Sequence, residues 1–371
     1  MPPISVLIKP ASGMCNMHCD YCFYCDEMKK RKVQSYGLMS EETLKNIIRK
    51  TIINAEGSVT YAYQGGEPTL RGIGFFKKAV EFQKKYNRRR IVVNNVIQTN
   101  GLEINDEWCR FFAEEHFLVG ISIDGIREVH DTYRHDKKGN ATYEKVVKAT
   151  ERMDQYGVDY NILTVVNKKT ICHIDEIYKE YQKRGWKYQQ YIECLDPLEE
   201  GHMKTKYAIS PEEYGKFQTR LFELWYRDWK KNRQPFIRRF ENYVGMLLGY
   251  PPEACEQRGT CGIQYVVEAD GGVYPCDFYM LDNYYLGNFN EDRLAEIDEK
   301  RKESGFLEHS YNLEPKCRQC PYYFLCRGGC QRHRDPVIGT EYYRNYFCDG
   351  YKMFFEKCSD KMIEMAKIIS M

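Results

Sequence analysis

The sequence has no run approaching the ~18 apolar residues of a membrane helix. Its first residues, Met1-Pro2-Pro3-Ile4-Ser5, lack the basic start and apolar core of a secretion signal. It also lacks an excess of either charge. Lys and Arg number 55 against 53 Asp and Glu, a formal net charge of +2. Bulk charge therefore gives no reason to expect nucleic acid or a membrane as partner. Two local basic runs, Lys29–Lys32 and Arg88–Arg90, read as solvated loop charge. With no export signal the expectation is a cytoplasmic protein, and structural disulfides are rare in that compartment. Sixteen cysteines in 371 residues then need another use, and metal or cluster ligation is the economical one. The chain is 43% hydrophobic, enough for a substantial core, and its 31 tyrosines suit a wet, amphipathic cleft.

Short β-branched runs alternate with helical stretches from Ile4 to about Pro197. Strands are expected at Ser5–Lys9, Val59–Tyr63, Ile91–Gln98, Leu118–Ile123, Asp159–Val166 and Gln189–Cys194. Helices are expected between them, at Ser40–Asn54, Gly74–Tyr86, Asp106–Glu115, Tyr143–Tyr156 and Ile171–Arg184. Ser40 and Asn105 mark helix starts, because their side chains satisfy orphan backbone N–H groups. This alternation predicts an α/β fold with a parallel sheet and helices on its outer face. Six units are too few for an eight-unit barrel. They fit an open, partial (β/α)6 barrel with a lateral gap for a bulky peptide. From Ser210 to Gly249 the pattern turns helical, with Trp225 and Trp229 as packing residues. The expected division is 1–200 for the partial barrel, 201–252 for a helical bridge and 253–371 for a cysteine-rich domain ending in a helix.

Three polar, Gly-containing turns follow strands: Gln64-Gly65-Gly66-Glu67-Pro68, Gln98-Thr99-Asn100-Gly101 and Ser122-Ile123-Asp124-Gly125. Ligands in parallel α/β folds bind beyond the carboxyl ends of strands, so these turns should meet on one rim. The loop after the first strand joins them there. It carries Cys15, Cys19 and Cys22 at C-x3-C-x2-C spacing. Soft thiolates select iron–sulfur clusters, zinc or Cu(I). Three of them suit a four-iron cluster with one iron left open, whereas Cys25 as a fourth ligand would complete a zinc site.

The last third adds Cys255, Cys261, Cys276, Cys317, Cys320, Cys326, Cys330 and Cys348. Eight cysteines are enough for two four-cysteine sites. Cys317-x2-Cys320 by itself suits zinc. Between Cys261 and Cys276, two β-runs flank Asp270-Gly271-Gly272, a hairpin signal. Cys109 and Cys172 fall in amphipathic helices and read as buried or half-buried thiols. Cys25, Cys194 and Cys358 are assigned no chemistry.

The cysteine loop with the following Phe23 resembles the signature of radical S-adenosylmethionine (SAM) enzymes. The resemblance implies that SAM chelates the open iron and is cleaved to a 5′-deoxyadenosyl radical. It also implies SAM contacts at Tyr21, Gly65, Gly66, Ser122, Arg134 and Leu195; Arg134 has the planar fork to pair with a carboxylate. Read without the resemblance, Arg134 is equally well a surface arginine. The later cysteines resemble the SPASM extension of peptide-modifying radical SAM enzymes, which holds two auxiliary [4Fe–4S] clusters. By that resemblance Cys255, Cys261, Cys276 and Cys330 hold one, and Cys317, Cys320, Cys326 and Cys348 the other, for three clusters in all.

Further stretches narrow the likeness: Met1 to Pro10, Tyr21 to Tyr24, Gln64 to Leu70, Cys194 to Leu198 and Tyr274 to Tyr279. Together they resemble the anaerobic sulfatase-maturating enzymes over essentially the whole chain. That family oxidises a cysteine or serine of a sulfatase C/S-x-P/A-x-R segment to Cα-formylglycine. The resemblance implies Asp277 as the base that removes the Sγ or Oγ proton, with Tyr24 and Gln64 lining the substrate pocket. The auxiliary clusters take the electron, and a flavodoxin or ferredoxin supplies the first one. Read without the resemblance, Asp277 is a turn residue after the hairpin. Leu102 departs from the family, which often has threonine there, and the polar Glu199–Tyr207 segment is open as to role. Two alternatives stand beside this reading: a SPASM enzyme that crosslinks or epimerises a ribosomally made peptide, and a non-catalytic zinc or electron-transfer protein.

Overall fold

The fold follows from β-branched runs that form strands where alternation places them. The structure is a computed structural model describing residues 3–370, so Met1 and Pro2 of the first motif lie outside it. All six expected strands form, as Ile4–Ile8, Ser58–Tyr63, Val92–Thr99, Leu118–Ser122, Tyr160–Val166 and Tyr188–Glu193. Ser40 accepts a hydrogen bond from the Thr43 N–H, and Asn105 accepts from those of Glu107 and Trp108, starting their helices as expected.

The chain packs as two compact units. The first comprises Met1–Ile123, His130–Asn161 and Ile263–Gly305. Within it, Ile4–Ile8 pairs in parallel with Ser58–Tyr63, then come Val92–Thr99 and Leu118–Ser122 in the same direction. On its other side Ile4–Ile8 pairs in parallel with Tyr265–Val267, in the register Val6 with Tyr265 and Ile8 with Val267. Tyr265–Val267 forms the expected hairpin with Gly272–Tyr274, which pairs in turn with Gly287–Asn288. The sheet's outer helices, Ile73–Tyr86 and Asp106–Glu114, pack through Phe76, Trp108, Phe111 and Phe112, with Tyr63 and Phe117 joining the cluster. Large aromatic faces buried in such contacts dominate core energetics.

The second unit comprises Asp124–Val129, Ile162–Gly262 and Phe306–Met371. Here Tyr160–Val166, which runs in from the first unit, pairs in parallel with Tyr188–Glu193, and that strand with Phe236–Ile237. Three helices, Pro211–Trp229, Arg238–Leu247 and Cys348–Ile369, share an aromatic core of Phe222, Trp225, Phe240 and Phe354. Trp225 is buried and donates its indole N–H to the Pro235 carbonyl; Trp229 stacks on Tyr226.

Three expectations need correction. Helix Ile171–Arg184 is two helices, Lys168–Cys172 and Ile174–Arg184. Asn167 caps the first by accepting from the Lys169 and Thr170 N–H groups, and His173 breaks the run with a non-helical φ of −119°. Cys172, at the end of that short helix, is exposed rather than buried. Arg31 is not solvated loop charge: its guanidinium is buried and pairs with Glu268 at 2.8 Å. A short ribbon escaped notice altogether, since Met17–Cys19 inside the cysteine loop pairs antiparallel with Arg134–Asp136.

Candidate active site

Four side chains from four separate stretches meet in the first unit. Lys9 follows the first strand, and its N–H donates to the Val267 carbonyl (2.9 Å). Gln64 follows the second strand, and its N–H donates to the Ile8 carbonyl (3.0 Å). Tyr24 lies in the helix Phe23–Lys29 directly after the cysteine loop. Asp277 follows the hairpin, one residue past Cys276, and is 6% exposed.

The Tyr24 hydroxyl donates to Asp277 Oδ2 at 2.6 Å. Gln64 Nε2 reaches the same oxygen at 2.6 Å and the Tyr24 hydroxyl at 2.9 Å. The Lys9 ammonium stands 2.9 Å from Oδ1 and 3.5 Å over the Tyr24 ring. Among the described residues Oδ1 accepts no hydrogen bond, and the ammonium is its ion-pair partner. Burial, then the negative charge of Asp277, raise the Tyr24 hydroxyl well above the ordinary phenol value. Tyr24 therefore stays protonated and donates. Sequence reasoning missed Lys9. Its signal was a lysine ending an apolar strand at the rim where ligands bind.

The cysteine loop is tied to two of the three strand-end turns, Gln64–Pro68 and Gln98–Gly101. Gly66 has φ +54°, and a Cβ there would lie 2.2 Å from the Met14 carbonyl oxygen. Only glycine allows that approach. The next residue, Glu67, donates its N–H back to Met14 O (2.8 Å). Its buried carboxylate accepts from Thr69 and Thr99 hydroxyls (2.6 and 2.7 Å) and from the Asn100 N–H (2.8 Å). Asn100 Nδ2 in turn donates to Asn16 Oδ1 (2.8 Å) and to Cys15 Sγ (3.6 Å). Arg134 is buried, not a surface arginine: it donates to Cys19 Sγ at 3.8 Å, and its guanidinium sits 5.4 Å from the Tyr21 ring centre. Ser122 ends the strand Leu118–Ser122 on the same unit.

Cys15, Cys19, Cys22 and Cys25 share one neighbourhood. Hydrogen bonds from Cys25 above all pull the Cys22 thiol down to about 6, and Cys25 is raised by that bond, by burial and by its three neighbours. Burial pushes Cys15 up to about 11. In the second unit, burial and then the charges of Cys348, Cys317 and Cys320 push Cys326 up to about 12. Burial and then Cys255, with Cys261 contributing less, raise Cys330. The thiols that oppose each other's ionisation are Cys317, Cys320, Cys326 and Cys348 in one group and Cys255, Cys261 and Cys330 in another. Soft donors crowded in this way fit iron–sulfur clusters, whose iron offsets the thiolate charge. Cys276 belongs to the first unit, while Leu195 lies half-buried in the second, just past the strand Tyr188–Glu193.

The buried Arg334 braces the second-unit loops. Its guanidinium donates to the carbonyls of Gly259, Ser310, Gly328 and Gly329, and the Ser310 hydroxyl accepts from the Cys261 N–H (3.0 Å). No sequence period marks an arginine that braces backbone carbonyls.

Comparison with known proteins gives the same outline. Residues 10–181 match the radical SAM superfamily, and residues 259–321 match SPASM, an iron–sulfur cluster-binding domain. The chain is 42% identical to a cysteine-type anaerobic sulfatase-maturating enzyme of Clostridium novyi, covering 100% of this chain and 99% of that protein. It is 32% identical to a serine-type anaerobic sulfatase-maturating enzyme of Bacteroides thetaiotaomicron, covering 98% of this chain and 92% of that protein. A solved structure, native anSMEcpe with bound AdoMet and the Cp18Cys peptide, superposes with a TM-score of 0.94. It is 40% identical and covers 99% of this chain and 100% of its own. Among the described residues no helix is long and apolar enough to cross a membrane.

Proposed function

Because the chain belongs to the anaerobic sulfatase-maturating enzymes, radical SAM enzymes with a SPASM domain, we propose that it oxidises a sulfatase cysteine to Cα-formylglycine with Asp277 as base. This membership sets aside the zinc or electron-transfer alternative. The observation that carries the proposal is the Asp277 carboxylate, anchored through Oδ2 by Tyr24 and Gln64, with no hydrogen-bond donor on Oδ1 among the described residues.

Cys15, Cys19 and Cys22 would hold the reducing cluster, and the two SPASM sets an auxiliary cluster each. When bound, SAM and these clusters supply a radical that takes hydrogen from the substrate Cβ and an acceptor for the electron that leaves. The protein's own residues do the rest. Gly65, Gly66, Arg134, Ser122, Tyr21 and Leu195 would hold SAM. Gln64 and Tyr24 line the substrate pocket and keep Oδ2 occupied. Asp277 takes the Sγ proton, a task suited to a positioned carboxylate because a thiol grows more acidic as its carbon becomes a radical. The substrate is left as a thioaldehyde, which water converts to the aldehyde and hydrogen sulfide.

Cysteine is the proposed substrate residue, since identity to the cysteine-type relative exceeds that to the serine-type one, 42% against 32%. A cytoplasmic enzyme reduced by a flavodoxin or ferredoxin, acting on an unfolded sulfatase segment, completes the proposal. We retain 1–200, 201–252 and 253–371 as its division along the sequence.

The test is anaerobic incubation of the reconstituted enzyme with SAM, a reductant and a Cys-x-Pro-x-Arg peptide. The expected product is lighter by about 18 Da, with 5′-deoxyadenosine formed. Iron analysis should give roughly twelve irons per chain, four for each cluster. A cysteine peptide that loses about two mass units and keeps its sulfur would show crosslinking instead.

A further inference from the structure

Lys9 lies outside the roles given to the site so far, yet the fold restrains it on every side. Its side chain is 2% exposed. Its backbone N–H is bonded to Val267, in the hairpin that leads to Asp277. Its stem packs against Gly65, where a Cβ would come within 2.9 Å of the lysine Cγ and Cδ. Its ammonium rests over the Tyr24 ring and faces Asp277 Oδ1. A buried ammonium is costly unless paired, so a lysine kept here needs a carboxylate opposite it.

The division of labour around Asp277 is then informative. Both neutral donors, Tyr24 and Gln64, use Oδ2. The cation alone addresses Oδ1, through charge and not through a hydrogen bond. Oδ1 thus keeps lone pairs for a proton while standing in the field of a fixed positive charge. We propose that Lys9 is the positioning residue of the proton-removal step, fixing the charge and the rotation of the Asp277 carboxylate so that Oδ1 meets the substrate thiol. In that step the substrate S–H bond breaks and an O–H bond forms at Oδ1; Lys9 keeps all its protons.

The inference rests on Asp277 being the base, and the experiment separates the two. The cluster-loaded enzyme is compared as wild type, Lys9→Met, Lys9→Gln, Lys9→Arg, Asp277→Asn and the double variant Lys9→Met/Asp277→Asn. Iron content, 5′-deoxyadenosine and aldehyde are measured. Both neutral Lys9 variants should keep iron and deoxyadenosine, yet form about 10-fold less aldehyde per deoxyadenosine. Lys9→Arg, which keeps the charge, should recover the aldehyde yield per deoxyadenosine. The double variant should lose no more than Asp277→Asn alone. Lys9→Met and Lys9→Gln with wild-type ratios, beside a defective Asp277→Asn, would overturn the Lys9 inference and leave the base in place. Loss of aldehyde and deoxyadenosine in step with iron would make Lys9 merely structural and overturn it too. Wild-type aldehyde formation by Asp277→Asn would instead overturn the base, and the Lys9 inference with it.

Discussion

Each unit of the molecule buries a carboxylate among a cation and tyrosine, and the two arrangements end differently. In the second unit Glu193 Oε1 accepts from Arg239 (2.7 Å), from the Tyr351 hydroxyl (3.1 Å) and from the Tyr214 hydroxyl. In the first unit Asp277 has two donors on Oδ2 and only a charge beside Oδ1. Arg239 donates one directed hydrogen bond to an oxygen that two tyrosine hydroxyls also fill. Lys9, a point charge, faces Oδ1 as an ion pair. The same ingredients thus saturate one carboxylate oxygen in one place and leave another without a hydrogen-bond donor in the other.

The largest effect expected is on the open side. Asp277→Asn should lower aldehyde formation at least about 100-fold, the range of a lost general base, with 5′-deoxyadenosine still produced. Chromatography of both products in one reaction checks it. On the saturated side, Arg239→Met should cost about 3–5 kcal/mol in denaturant unfolding of the cluster-loaded protein, since it strands a buried carboxylate. Next comes Tyr24→Phe, which removes one charge-assisted donor from Oδ2. Aldehyde formation should fall about 10-fold at unchanged iron content.

The smallest effect is in pH. Burial, the largest influence, raises the Glu193 carboxyl, but the charges of Arg239 and His333 and the Tyr214 hydrogen bond outweigh it and hold it below the ordinary value of 4.5. A depressed acid stabilises the fold above its unfolded pKa, and that contribution is lost as pH falls through the folded one. Thermal unfolding should therefore show wild type losing stability below about pH 4.5, with Glu193→Gln showing a shallower acid loss. Equal acid slopes in the two proteins would erase the contrast between the carboxylates.

Much of this was readable in the chain. Val92–Thr99 and Leu118–Ser122 are β-branched runs between helices, and local signals of that kind need no partner to be recognised. The cysteines were legible because their spacing is itself the chemistry. Asp277 was singled out only through resemblance, since a lone acid after a hairpin looks like a turn residue. Lys9 was not legible at all. Its meaning depends on the parallel pairing of Ile4–Ile8 with Tyr265–Val267, and parallel partners leave no mark of each other in sequence. Arg31 and Glu268 were hidden for the same reason: their pairing exists only once that hairpin has docked. Cys172 was misplaced because helical periodicity ran straight through the break at His173.

The docked hairpin also sets a timetable. Ile4–Ile8 leaves the ribosome first, while its neighbour Tyr265–Val267 is roughly 250 residues away, about 10–50 s of synthesis at ordinary elongation rates. For that interval the first strand is an uncovered sheet edge, the kind that recruits foreign strands. Lys9 meanwhile waits without its counter-ion. Of the four residues at the site, Asp277 is the last to be made. A nascent chain therefore owns its cysteine loop long before it owns the group proposed to take the proton, and any pause in translation before the hairpin lengthens the period in which the chain needs a chaperone's cover.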